Sequence, residues 1–245
     1  MLKPFTPVPL LVAQETTMSL WVSGDNASTI VSSAGNVSAW RDQSGFKNNG
    51  TQATGSKQPD TGSTTIAGKN VIDFTRLNSD SLSVPDSIIG SLVNDSLTVF
   101  IVGQSSVASP PALAAFFGSS TSTRFYIYQQ VTTGTIRTAL GSTAGSGLPP
   151  LVLDSGVSAS AAPFVAMVTY VGSTDTGTLN VNNSAIVTGT GGVSTPADVT
   201  IGSAGNASFV QGSVAEVIVY QGLVSASNQL SLFRYLGEKW GVTIS

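Results

Sequence analysis

Between Gly212 and Gly241 the hydrophobic period changes once, and that change constrains the fold more than any other stretch of the chain. Gly212-Ser-Val-Ala-Glu-Val-Ile-Val-Tyr220 alternates tightly in Val, Ile and Tyr, which predicts a strand with a well-buried face. From Ser225 the period becomes helical. Leu232, Phe233, Leu236 and Trp240 fall on one side, Ser225 stands at the N-cap position, and Gly241 supplies a C-terminal stop. A strand running into one amphipathic helix, at the end of a chain that otherwise reads as β, predicts a sandwich closed by a single helix.

The 245 residues suit one large β domain with enough buried surface to need no staples. Absence of Cys excludes disulfides, thiolate metal sites and thiol catalysis. Charged residues make up only 9%, so Ser, Thr, Asn and Gly carry the polar surface. Such a neutral, hydroxyl-rich surface fits rigid assemblies and extracellular settings. The ten Lys and Arg are scattered singly, which argues against nucleic acid as a partner. No stretch is long and apolar enough for membrane insertion.

Residues 1–16 read as an extended N-terminal docking arm, ahead of one β-sandwich domain over 17–245. Pro4, Pro7 and Pro9 favour polyproline conformation, while Phe5, Val8, Leu10, Leu11 and Val12 are too apolar for a solvated tail. Such an arm packs across its own domain as an edge segment or docks on a neighbouring subunit. The apolar run Leu10–Ala13 is too short for a signal-peptide core, so a mature N-terminus is expected.

Strands are predicted at 19–22, 71–74, 97–104, 114–118, 125–130, 135–140, 164–170, 177–181, 184–187, 199–201 and 213–220, with a hairpin at Asn182-Asn-Ser184. The runs 97–102 and 164–170 are nearly continuously apolar and read as central strands covered on both faces. Residues 23–36 and 141–150 read as loops. In Trp40-Arg-Asp-Gln-Ser-Gly45, Asp42 is placed to accept from the amides that follow it and Gly45 to take a positive φ. Trp21, Trp40 and Trp240 sit among apolar neighbours and read as core rather than as sugar platforms. Glu216, the one charge in its strand, shares a face with Ile218 and Tyr220 and calls for a partner such as Arg234 or Lys239.

Four segments together resemble the concanavalin A-like lectin/glucanase superfamily, in the laminin-G-like form of phage virion and bacterial surface proteins. They are Leu20-Trp21 with Trp40–Gly45, Asn48, Asn49 and Gln52; Gly68–Phe74 with Asp80 and Leu82; Leu97–Val102; and Ile201-Gly202 with Ala215–Tyr220 and Tyr235–Gly241. The resemblance implies an all-β jelly roll of two antiparallel sheets with one C-terminal helix. The superfamily's glucanases carry a Glu-x-Asp-x-x-Glu cluster on one strand. Here Glu15, Glu216 and Glu238 are not so spaced, Asp73 and Asp80 lie seven residues apart, and Asp80, Asp86 and Asp95 read as loop residues. With no His, a Ser-His-Asp site and a His-ligated metal are excluded. No catalytic residue is therefore assigned. Laminin-G-like domains often bind calcium, for which Asp25, Asn26, Asp154 and Asp175 are candidates in apparent loops. Each also reads as a turn former, and no cofactor is assigned.

The expectation is a non-enzymatic display protein on a phage virion surface: a capsid decoration protein, spike or fibre head. Its arm would contact capsid or other virion proteins, the protein would be a homo-oligomer, and it would adhere to host surface polysaccharide. The alternatives are a secreted or cell-surface carbohydrate-binding adhesin and a divergent glucanase.

Overall fold

Short runs of β-branched and aromatic residues, separated by Gly, Asn and Asp turns, form a two-sheet antiparallel sandwich with one C-terminal helix. The computed structural model describes residues 9, 16–92, 95–120, 123–141, 151–160, 162–191 and 195–245. Among them the strands are β1 (Thr17–Ser23), β2 (Ile30–Ser33), β3 (Asn36–Trp40), β4 (Gly50–Thr51), β5 (Asp60–Ile66), β6 (Lys69–Phe74), β7 (Leu82–Ser83), β8 (Ser96–Ser105) and β9 (Ala114–Gly118). They continue with β10 (Phe125–Gln129), β11 (Thr135–Leu140), β12 (Leu151–Ser158), β13 (Phe164–Val171), β14 (Thr176–Val181), β15 (Ala185–Thr190), β16 (Thr200–Ile201) and β17 (Gly212–Gln221). Helix α1 spans Ala226–Trp240.

One sheet runs β15-β14-β13-β8-β17, with the far edge of β17 shared by β6 and then β1, and β5 outside β6. The other runs β2-β3-β4-β7-β16-β9-β10-β11-β12. Among the described residues an Asn36–Asp60 bridge joins the two. Every named pairing is antiparallel, as expected where short turns connect neighbouring strands. The core between the sheets is aromatic and aliphatic; Phe116 of β9 meets Phe164 of β13 edge to face at 5.1 Å.

Strand β17 shows how the pattern directs this layering. Val214, Val217 and Val219 face the sandwich core, whereas Ala215, Ile218 and Tyr220 face α1. A register shift against β8 between Val214 and Glu216 adds the extra residue that lets Val214 and Val217 both point inward. The helix lays Leu232, Phe233, Leu236 and Trp240, all buried, on Phe100, Val102, Met167 and Ile218. Each such side chain contributes about 1.5–3 kcal/mol of burial. Gly241 ends the helix at φ 67°, and the Val242 amide donates to the Gly237 carbonyl at 2.9 Å. Strands β8 and β13 are thus covered on both faces, by the sandwich core and by the helix layer. The hairpin at 182–184 also forms as expected: Asn182 and Asn183 both take φ 56°, a turn whose twist matches its strands.

Four expectations are corrected. Residues 23–36 are not only loop but include a short 3-10 turn and β2. Strand β5, Asp-Thr-Gly-Ser-Thr-Thr-Ile, was not expected because its largely exposed course carries almost no apolar alternation. Strand β12 follows a Gly/Pro-rich segment, of which 142–150 lie outside the described residues, and it contains Asp154. The docking residues Phe5, Val8, Leu10 and Leu11 also lie outside them. Pro9 is described, and it is helical and buried rather than extended, its carbonyl accepting the Tyr220 hydroxyl at 3.1 Å. At that point the segment packs on its own domain.

Candidate functional site

Where β1, β17 and α1 meet, a fully buried carboxylate gathers four donors. Glu216 Oε1 accepts from Trp21 Nε1 at 2.8 Å and from the Tyr235 hydroxyl at 3.3 Å. Its Oε2 accepts from Trp240 Nε1 at 2.7 Å and Lys239 Nζ at 2.9 Å; Ser23 Oγ lies 3.1 Å from it but closer, at 2.6 Å, to Asp25 Oδ1. The sequence builds this from three elements. Ser23 lies directly opposite Glu216 in the β1–β17 ladder, and Trp21 lies opposite Ile218. Tyr235 and Lys239 are four residues apart on α1 and so share a face, and Trp240 follows on the buried side. Of the two partners expected for Glu216, the structure selects Lys239; Arg234 lies on the exposed side of α1.

Lys239 joins the buried site to the surface. Its ammonium also pairs with Asp25 at 3.0 Å and lies 5.5 and 5.3 Å from the ring centroids of Tyr235 and Trp240. Burial and the neighbouring Glu216 charge push the Tyr235 hydroxyl well above its ordinary pKa, so it remains a donor. Above the network opens a depression of about 470 Å³ whose lining includes Trp21, Asp25, Asn26, Gln43, Tyr235 and Lys239. A carboxylate offers about four lone-pair sites, and the two indoles, the Tyr235 hydroxyl and the Lys239 ammonium engage those of Glu216.

The Trp40–Gly45 segment buttresses the same corner. Asp42 accepts from the amides of Ser44 and Asn48 at 2.8 and 3.0 Å and from the Ser44 hydroxyl at 2.6 Å, and Gly45 takes φ 98°. These are the turn roles expected. Asp42 also accepts the Trp21 amide at 2.9 Å, and the fully buried Trp40 donates Nε1 to the Ser23 carbonyl at 3.3 Å. The turn therefore fixes β1 beneath the depression. That long-range role left no local signal in the sequence.

The four calcium candidates are not brought together. Asp25 is paired with Lys239, while Asn26 donates to Gln43 Oε1 at 2.8 Å and accepts from Ser28 Oγ at 2.7 Å. Asp154 is a strand residue, not a loop residue, and forms an ion pair with Arg137 at 2.6 Å. Burial raises its carboxyl pKa, but the Gly156 amide and Arg137 outweigh this and hold it below its ordinary value. Asp175 does occupy a turn, at φ 50°, where it accepts the Tyr170 hydroxyl at 3.1 Å. Among the described residues no group of three or more His, Cys, Asp or Glu is placed to hold a metal ion.

No protein-family model matches the chain, and no curated protein matches it. Solved structures do. A GH54 α-L-arabinofuranosidase soaked with a cyclic sulfate inhibitor aligns at 13% identity and a TM-score of 0.59, over 93% of this chain and 64% of that one. Domain 4 of AbnA, a GH43 extracellular arabinanase from Geobacillus stearothermophilus in complex with arabinotriose, aligns at 12% identity and a TM-score of 0.56, over 89% and 98%. The Trypanosoma rangeli sialidase in complex with DANA aligns at 12% identity and a TM-score of 0.55, over 89% of this chain but only 32% of that one. At these identities the likeness establishes the fold alone, an antiparallel jelly-roll sandwich.

Proposed function

We propose that this sandwich is a non-enzymatic glycan-binding domain displayed on a surface, in its most specific form the surface of a phage virion. The reading is supported chiefly by the likeness in fold, over nearly the whole of both chains, to an arabinanase domain crystallised with arabinotriose. The saturated Glu216 network supports the non-enzymatic half, because glycoside hydrolysis usually needs two carboxyl groups free to act as acid and as base or nucleophile. The neutral, hydroxyl-rich composition and the laminin-G-like segments support display on a particle or cell surface, with residues 1–16 toward the capsid.

A glycan array probed with the labelled protein tests binding. Selective signal on a group of related polysaccharides is expected, and an array without signal would count against the proposal. For display, the protein is expected in purified virions, and deleting residues 1–16 is expected to abolish its attachment while the sandwich still folds. Attachment that survives this deletion contradicts the docking role of the arm.

A further inference from the structure

Two cavities away from the Glu216 corner form one groove. One, of about 320 Å³, includes Asp60, Asp73, Ser106 and Gln211 in its lining; the next, of about 290 Å³, includes Gln211, Arg76, Leu77 and Pro111. Gln211 belongs to both, and its Oε1 accepts the Arg76 amide at 3.0 Å.

Structural needs alone do not explain what borders this groove. Asp60 and Asp73 stand directly opposite each other across β5 and β6, where like charges destabilise a sheet. Neither forms an ion pair with a Lys or Arg among the described residues. Asp73 instead accepts hydroxyls, from Ser213 and from Ser63 at 3.2 Å. At the other end Leu77 is 93% exposed. Beside it, Arg76 lines the groove and forms no ion pair among the described residues.

We infer that this groove binds a neutral oligosaccharide, with a sugar ring over Leu77 and Pro111 and its hydroxyls directed to Asp60, Asp73 and Arg76. The chemistry of each end selects that ligand. Carboxylates accept sugar hydroxyls, the guanidinium donates to a sugar oxygen, and an exposed aliphatic patch fits the C–H face of a pyranose or furanose ring. At the acidic end the two carboxylates disfavour uronic and sialic acids, which is why a neutral sugar is proposed there. The inference rests on the glycan-binding reading and gives it a location.

The test is calorimetric titration of the full chain with arabinotriose, xylotriose, maltotriose and chitotriose, using the wild type and three variants. Leu77→Ala touches an exposed side chain, Asp73→Asn keeps the shape of the polar end, and Gln43→Ala alters the depression above Glu216. The trisaccharide bound by the wild type is expected to bind at least tenfold more weakly to Leu77→Ala and Asp73→Asn. Gln43→Ala is expected to match the wild type. Unchanged affinity in both groove variants, or loss confined to Gln43→Ala, overturns the groove while leaving glycan binding in place. If no trisaccharide binds the wild type, both readings fall.

Discussion

Replacing Glu216 with Ala is expected to destabilise the protein by about 3–5 kcal/mol, because it strands a partnered cation and several donors in a buried site. Two indole N–H groups, the Tyr235 hydroxyl and the Lys239 ammonium all converge on this carboxylate. Asp25 can retain the ammonium, but Trp21 and Trp240, 6% and 0% exposed, lose their acceptor. For a chain of this size the loss corresponds to a fall in Tm of about 6–20 °C. Glu216→Gln should lie between the two, since one amide oxygen still accepts while its NH₂ faces donors. Thermal unfolding by calorimetry reads the effect. A fall in Tm under about 2 °C for Glu216→Ala would show that the network does not hold α1 to β1 and β17.

Asp80 should produce the opposite effect, and one that depends on pH. It is 1% exposed, its Oδ2 accepts the Thr75 amide at 2.7 Å, and its Oδ1 has no partner among the described residues. Burial pushes its carboxyl from 3.8 up to about 6; the Thr75 amide opposes the rise and the Asp60 charge adds to it. A carboxyl raised in the folded state keeps its proton longer there than in the unfolded chain. Stability is therefore unpenalised below pH 3.8, falls as pH rises toward about 6, and stays reduced above that. The full penalty is about 3 kcal/mol, from 1.36 kcal/mol per pKa unit. Asp80→Asn retains an acceptor for Thr75 and removes the charge, so it should gain about 2 kcal/mol at pH 7, or about 4–8 °C in Tm, and almost nothing at pH 4. Melting curves of both proteins across pH 4 to 8 test this. A Tm difference that does not change with pH would contradict it.

What the sequence disclosed divides along physical lines. Strands β8, β13 and β17 were legible because both faces are buried and the apolar run is nearly unbroken. Helix α1 was legible through its four-residue stripe and Gly241. Strand β5 was not, because a polar, largely exposed strand is fixed by its partner β6 rather than by its own composition. At the Glu216 corner, the facing of the carboxylate followed from alternation, while the choice of Lys239 over Arg234 as its partner came only with the structure. Trp21 and Trp240 were recognised as core, but their bonds to Glu216 were missed. One clue was present: a buried indole N–H needs an acceptor, and Glu216 is the one charged residue in an otherwise apolar strand. The Asp60–Asp73 pair was out of reach, since opposing these residues requires β5 and its register.

The central claim is that this sandwich holds a glycan without cleaving it. Proton NMR of the protein with a tenfold excess of a bound oligosaccharide tests both halves in one sample. The expected result is saturation transfer from protein to sugar, with anomeric signals unchanged after a day. New reducing-end signals would contradict the non-enzymatic reading, and the absence of any transfer would contradict binding.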